Sequence, residues 1–139
     1  MSETPSENNI ARLKTEAERE PIARFLGMRL VELEPGHARV AIKLRPEYQT
    51  FNGLLFGGMV MAVADQAFAY AVNSQAHPST AADFHIQFIS GAAADDELVA
   101  ECRVVRNGRR IAFSEMTVTN QDGKLIAKAS GITARVIRD

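Results

Sequence analysis

Apolar side chains recur along this chain with two different rhythms, and the change of rhythm marks its elements. From Ile10 to Leu26, the residues Ile10, Leu13, Ala17, Ile22, Phe25 and Leu26 recur at near-helical spacing. Pro21 has no amide proton and clashes with the turn before it, so the run divides into two short helices that serve as a lid or packing element. Met28 to Leu33 and Ala38 to Leu44 alternate apolar with polar, and Glu34-Pro35-Gly36-His37 between them is a turn sequence, which together predict a hairpin. Arg45 to Phe56 loses periodicity and carries Pro, Asn and Gly, as loops do. It leads into Gly57 to Ser74, the one segment that reads as a long helix. Four further strands are predicted over Ala81 to Ile89, Glu97 to Arg106, Arg110 to Asn120 and Leu125 to Val136. Asn107-Gly108 and Asp122-Gly123 separate the last three, and both dipeptides favour the positive-φ tight turns of hairpins. The predicted order is strand, strand, long helix, then four strands in an antiparallel meander. Met1 to Asn9 holds almost nothing apolar and is expected to be disordered, leaving residues 10–139 as a single domain.

The long helix differs from a surface helix, which shows one apolar stripe. Met59 to Ala64 and Ala67 to Val72 are apolar without interruption and cover every face, so the helix must be enclosed. The strands are the only partner large enough, and the expected architecture is α+β: a curved antiparallel sheet wrapped around one long central helix. Asp65 interrupts this apolar run, and no Lys or Arg occurs between Arg45 and Arg103 to neutralise it nearby. A buried unpaired carboxylate costs several kcal/mol or shifts its pKa upward, so Asp65 must face a polar cavity, a partner subunit or water. Two readings stand beside each other here, a carboxylate capping neighbouring backbone and a functional group held at a cost.

At the start of the same helix, Gly57-Gly58 leaves the first-turn amides unshielded, at the positive end of the helix dipole. Such amides polarise a carbonyl oxygen or hold an anion; equally, two glycines allow tight passage beneath a sheet. The pair is not a phosphate loop, because no Lys-Ser/Thr follows it. Eight positions separate Gly57 from Asp65, or roughly 12 Å along the axis at about 1.5 Å per residue. A reacting carbonyl needs its oxyanion donor and its base or nucleophile each within about 3 Å. If both residues are catalytic, the donor comes from one subunit and the carboxylate from another, and the protein is at least a two-fold dimer.

Composition narrows the partners. With 139 residues, 46% of them hydrophobic, the chain can build one real core. The 16 Lys and Arg against 17 Asp and Glu leave a formal net charge of -1, so no basic field is available for a nucleic-acid backbone. The most apolar window, Met59 to Val72, contains Asp65 and Gln66 and is shorter than the ~20 residues of a membrane span, so no membrane partner is expected. One cysteine forms no intrachain disulfide, and no basic segment followed by an apolar one opens the chain, which makes the cytoplasm the expected compartment.

The stretch Gly53-Leu54-Leu55-Phe56-Gly57-Gly58, followed by Ala64-Asp65-Gln66-Ala67-Phe68-Ala69-Tyr70-Ala71, resembles the hotdog-fold acyl-CoA thioesterases, especially the phenylacetic-acid-degradation type. The likeness runs from about Phe25 to Val136, with Gly108-Arg109 and Asp122-Gly123-Lys124-Leu125-Ile126-Ala127 matching its hairpins. The resemblance implies a hotdog fold, Asp65 as catalytic carboxylate and Gly57 as the amide donor to the thioester oxygen. It implies no cofactor, coenzyme A being part of the substrate, and a homo-oligomer that is a dimer at minimum and a dimer of dimers. Asn52, Phe56, Gly58, Gln66, Arg109 and Arg110 are the expected substrate-binding residues. Phe56 departs from the pattern, since the family has His there, and the family's upstream Asn falls on Thr50, with Asn52 close by. Phe neither hydrogen-bonds nor transfers a proton, whereas a backbone amide does not depend on that side chain.

Other chemistries fit less well. Cys102 lies in an alternating strand, where a core thiol is far more common than a nucleophile. His37, His77 and His85 share no helical ligand spacing, and Asp83 and His85 share a strand face without a third ligand, so no metal is expected. No Gly-Xaa-Ser-Xaa-Gly elbow occurs. Arg109-Arg110 is either a solvated hairpin tip or, beside a cleft, a contact for coenzyme A phosphates. The site therefore reads as an acyl-CoA thioesterase in which Asp65 activates water or attacks directly. The alternative is a catalytically silent hotdog dimer that binds acyl-CoA or another apolar ligand. Hydration or dehydration of an acyl-CoA on the same fold fits worse, because the carboxylate has no His partner.

Overall fold

The computed structural model describes residues 5–137. Its elements are α1 (Pro5–Arg19), α2 (Pro21–Leu26), β1 (Met28–Glu34), β2 (His37–Lys43), a short 3-10 turn (Pro46–Tyr48), α3 (Gly57–Asn73), β3 (Ser79–Phe88), β4 (Glu97–Asn107), β5 (Ile111–Asn120) and β6 (Leu125–Arg135). The break at Pro21 falls as the missing amide requires: Glu20 is extended (φ -66°, ψ 119°) and Pro21 opens α2. Of the start expected to be disordered, Pro5 to Asn9 belong to α1, and residues 1–4 lie outside the described residues. Asn9 anchors this end, its side-chain amide donating to the carbonyls of Asn73 (2.8 Å) and Ser74 (2.6 Å) where α3 finishes.

All six strands form one antiparallel sheet in the order β1-β2-β4-β5-β6-β3. The four-strand meander is thereby corrected. β4, β5 and β6 follow one another through turns at the two predicted places, Gly123 taking the expected positive φ (79°) and Gly108 not, but β3 pairs with β6 and β4 pairs with β2. Residues 89–96 explain the difference, since this stretch is too long for a tight hairpin and carries the chain across the sheet. Its start is still held to β6, the neighbour of β3, with the Ile89 and Ser90 amides both donating to the Ile126 carbonyl (2.8 and 3.2 Å).

α3 contacts every strand, so the sheet wraps it as expected. Val63, Ala64, Ala67, Phe68, Ala71 and Val72 meet Val40, Ile42, Leu98, Ala100, Met116 and Ile126 in a core with almost no solvent exposure. Close approach has a specific cause at Gly131 on β6. A Cβ there would lie 2.6 Å from Phe68 Cζ and 2.9 Å from the Asp83 carbonyl, so the bare glycine makes the slot that Phe68 fills. Enclosure of α3 is nonetheless incomplete, which corrects the expectation of a helix covered on all faces. Met61 and Asp65 are exposed, and Ala62, Gln66 and Ala69 are half-buried along the same side, because neither the sheet nor α1 reaches it.

Candidate active site

The loop before α3 is a compact turn. The Thr50 amide donates to the Leu54 carbonyl (2.6 Å), the Gly53 amide to Thr50 (3.0 Å) and the Phe56 amide to Tyr48 (2.9 Å). Asn52 sits exposed at its tip, where its side-chain oxygen accepts from the Thr50 hydroxyl. This turn delivers Phe56 as the N-cap of α3, in an extended conformation (φ -65°, ψ 121°) and with no side chain capping the helix. The first bond into the helix runs from the Met59 amide to the Phe56 carbonyl (2.9 Å), so the amides of Gly57 and Gly58 precede it and point out of the helix end. A Cβ on Gly58 would lie 2.2 Å from the Phe56 ring, so that ring lies across the first turn and Gly58 makes room for it.

An apolar cavity of about 340 Å³ opens beside this helix end, lined by Gly57, Val60, Leu54, Phe88, Ile89 and Ile126 among others. The Phe88 ring closes it over Gly57, at 3.4 Å from where a Cβ would stand. Of the aromatic residues a pocket might use, Phe88 lines this cavity. Phe68 and Tyr70 are core, and Phe84 packs against Phe68 with ring centroids 6.0 Å apart. Leu54, which lines the cavity, is exposed, as are Phe51 and Phe56 on the same loop. A larger depression of about 540 Å³ lies on the sheet face away from α3, among charged side chains such as Glu101, Arg103, Glu115 and Lys128, and suits an apolar acyl group poorly.

Asp65 lies two turns further along α3 and does not line this cavity. Its side chain reaches the surface, while the chain packed around it desolvates the carboxyl and the negative charge of Glu20 adds to the effect. Both hold it above the usual carboxylate range. Asp65 forms no hydrogen bond or ion pair among the described residues, so within one chain it caps no backbone. Gln66, expected to face substrate, is engaged elsewhere: its amide donates to Glu20 and, at 3.1 Å, to the Tyr70 hydroxyl. Burial and the neighbouring Glu20 also push the Tyr70 phenol well above its ordinary range. Glu20 is thus part of the site, and sequence reasoning missed it: it lies 46 positions from Gln66 at a helix break, with no spacing that connects them.

Arg109 and Arg110 are exposed on the β4–β5 turn, at the other end of α3 from Gly57. The Arg110 carbonyl accepts from the Arg135 amide and the neighbouring Val136 amide donates to Pro78, just beyond α3, both at 2.9 Å. Within one chain the structure therefore gathers Asn52, Phe56, Gly57 and Gly58 at one helix end. It leaves Asp65 midway and the two arginines at the far end. Cys102 is fully buried and its thiol is pushed up to about 12 by burial, so it is no nucleophile. Among the described residues, no helix is long and apolar enough to cross a membrane.

Comparison with known proteins agrees with this architecture. A family model described as the thioesterase superfamily matches residues 52–127, which include α3, β3, β4, β5 and the start of β6. A putative esterase of Archaeoglobus fulgidus is 34% identical over 115 residues, covering 83% of this chain and 75% of that protein. The acyl-coenzyme A thioesterase PaaI of Escherichia coli is 29% identical over 119 residues, covering 86% of this chain and 85% of that protein. The solved structure of the E. coli PaaI protein from the phenylacetic acid degradation operon has a TM-score of 0.85 at 28% identity, covering 92% of this chain and 94% of that one. The chain belongs to the thioesterase superfamily, as a hotdog-fold member of the phenylacetic-acid-degradation type.

Proposed function

We propose that this protein hydrolyses the thioester of an acyl- or aryl-CoA in a site built by two subunits. The observation that carries the reading is Asp65, a carboxylate without a partner among the described residues, held above its ordinary pKa range on the one uncovered side of an otherwise buried helix. In this mechanism the Gly57 amide polarises the thioester carbonyl, and Asp65 of the opposing subunit takes a proton from the attacking water. The tetrahedral centre then collapses, the carbon–sulfur bond breaks, and the proton passes to the leaving thiolate. Direct attack by Asp65 on the same carbonyl is the variant of this route, with water resolving the acyl-enzyme anhydride. The acyl group fits the cavity beside Gly57. No cofactor enters either route; coenzyme A arrives and leaves as part of the substrate.

Two features of the single chain support the dimer. Met61, Ala62, Asp65 and Ala69 form an open strip on α3, and β3 is an edge strand paired only with β6. Phe88 and Ile89 at its end, with Phe51, Leu54 and Phe56 on the loop, add large apolar side chains at least half exposed, an arrangement that a second copy would cover. A dimer of dimers is the assembly that the family resemblance implies. The alternative, a silent dimer that binds acyl-CoA, is favoured by one observation: the Phe56 ring rests on the helix end where relatives of this pattern place a His. Steady-state hydrolysis of a panel of acyl-CoAs separates the two. Asp65→Asn, near-isosteric but unable to act as base or nucleophile, is expected to lower turnover by at least about a hundredfold with the fold intact. Unchanged turnover in a folded Asp65→Asn removes Asp65 from the mechanism, and a wild type that binds acyl-CoA without hydrolysing it supports the silent dimer.

A further inference from the structure

The β1–β2 hairpin turns back on itself so that Glu34 pairs with His37, while a bulge before Glu32 sets that residue opposite Arg39. Both carboxylates thereby reach the His37 ring. His37 is only 8% exposed. Its Nε2 lies 2.7 Å from Glu101 Oε2, and the Arg39 and Arg103 guanidiniums stand 3.2 and 3.5 Å from the same oxygen. An anionic Glu101 in that setting accepts the Nε2 proton. The other ring nitrogen, Nδ1, is buried and has no hydrogen-bond partner among the described residues. It faces Glu32 Oε1 and Glu34 Oε2, each 3.9 Å away, and the three atoms lie within 4.8 Å of one another.

A shielded lone pair aimed at two carboxylates is electrostatically unfavourable unless a positive centre stands between them. The carboxylate on the opposite ring nitrogen is the partner that metal-bound histidines commonly have, since it fixes the tautomer and raises the basicity of the ligating nitrogen. We propose that His37 Nδ1, Glu32 and Glu34 bind a divalent first-row cation, with Zn²⁺ as the reference ion, and that Glu101 orients the His37 ring for it. Mixed imidazole and carboxylate ligands suit such an ion. Ligands of a tetrahedral ion with bonds of about 2.1 Å stand about 3.4 Å apart, so each carboxylate needs to close on the ring nitrogen by roughly half an ångström and the two on each other by up to about 1.4 Å. Glu32 and Glu34 have side chains 41% and 67% exposed and are free to do so. Arg39 approaches only the second Glu32 oxygen, at 3.9 Å, leaving the first for the ion. Spacing did not suggest this set because its members meet across a hairpin. The site would clamp that hairpin to β4; the Gly36 amide beside it donates to Ser74 beyond the C-terminal end of α3, the end opposite Gly57.

The test uses the full chain, freed of metal with EDTA and titrated with Zn²⁺ by calorimetry at neutral pH. Wild type is expected to bind one ion per chain, as is His85→Gln, a control for the exposed His85–Asp83 pair (3.6 Å). Glu34→Gln, at an exposed position, is expected to weaken binding at least about tenfold, and His37→Gln to abolish it. Nitrogen-15 NMR of the zinc-loaded wild type is expected to show His37 metallated at Nδ1 and protonated at Nε2. Absence of saturable binding by wild type overturns the proposal, as does affinity unchanged in Glu34→Gln, or metallation at Nε2. A His37 ring protonated at both nitrogens in the presence of Zn²⁺ also overturns it, by showing that a proton fills the place of the ion. Should His37→Gln fail to fold, Glu34→Gln and the NMR signature decide the matter.

Discussion

If α3 of one subunit supplies the amide and α3 of the other supplies the carboxylate, two inactive variants should repair each other. Gly57→Pro removes the amide proton and little else. Gly57 is the first residue of α3, where proline is well accommodated, and Phe56 before it already holds the extended conformation that a following proline favours. A Cβ at position 57 stands 3.4 Å from Phe88 Cζ, which is contact without overlap. Loss of one oxyanion donor costs about 10²–10³ in turnover, and Asp65→Asn costs at least about 10². Each parent dimer is thus expected at or below about 1% of wild type. A mixed dimer carries one doubly impaired site and one site made of the unmutated Gly57 and the unmutated Asp65. Differently tagged chains, refolded together and purified through both tags, should recover about half of wild-type activity per dimer. An unseparated equimolar mixture, about half of it mixed dimers, should recover about a quarter. Released thiol measured with a chromogenic disulfide reports the rate, and mass spectrometry verifies the composition. The roughly 12 Å between the two positions rules out a complete site on one helix. Verified mixed dimers as inactive as their parents would therefore refute the shared site, leaving either another donor or an Asp65 that serves its own subunit.

Phe56→His is expected to keep or raise turnover, and Phe56→Ala chiefly to change KM, because the Gly57 amide is independent of that side chain. Lost activity in a folded Phe56→His would show a site rebuilt around the ring that lies on Gly58. Glu20→Gln removes one of the two influences that raise the Asp65 pKa, so the acidic limb of kcat/KM should move to lower pH. The sign follows from the carboxylate being the active form, and a limb that stays in place would exclude Glu20 as a modulator of Asp65. Gly131→Ala pushes a methyl group into the Phe68 ring and the Asp83 carbonyl and should cost about 1–3 kcal/mol, read as a lower urea midpoint at unchanged m-value. Wild-type stability in that variant would mean that the slot beneath Phe68 can yield.

Local patterns were legible where the residues that set an element lie next to one another. The two Gly turns, the break at Pro21 and the bounds of α3 are all decided within a few positions, and the structure places them within a residue or two of expectation. Strand order is not local. Nothing in β3 itself says that its partner is β6; that follows from the long stretch after it and from the Ile126 carbonyl that receives two of its amides. The site divides in the same way. Gly57, Gly58 and Asp65 were visible because they share one helix, whereas Glu20 reaches Gln66 and the surroundings of Asp65 from the break between α1 and α2, far from the other site residues in sequence.

The same distinction accounts for the helix expected to be enclosed but found open on one side. If a second copy covers the open side, as the proposed shared site requires, uniform apolarity records burial in that assembly, and one chain supplies only part of the cover. The sheet covers Val63, Ala64, Ala67 and Phe68; Met61 and Asp65 remain outside it. A methionine and a carboxylate on one open strip make opposite demands, since the first is stabilised by a dry neighbour and the second by a polar one. A second copy of α3 crossing the strip near Met61 would meet the first demand. A substrate carbonyl and its attacking water, brought to Asp65 from the partner's helix end, would meet the second. Under the proposed mechanism, an acid without a partner among the described residues is the expected state of half a site, and its elevated pKa would serve a base that must accept a proton from water.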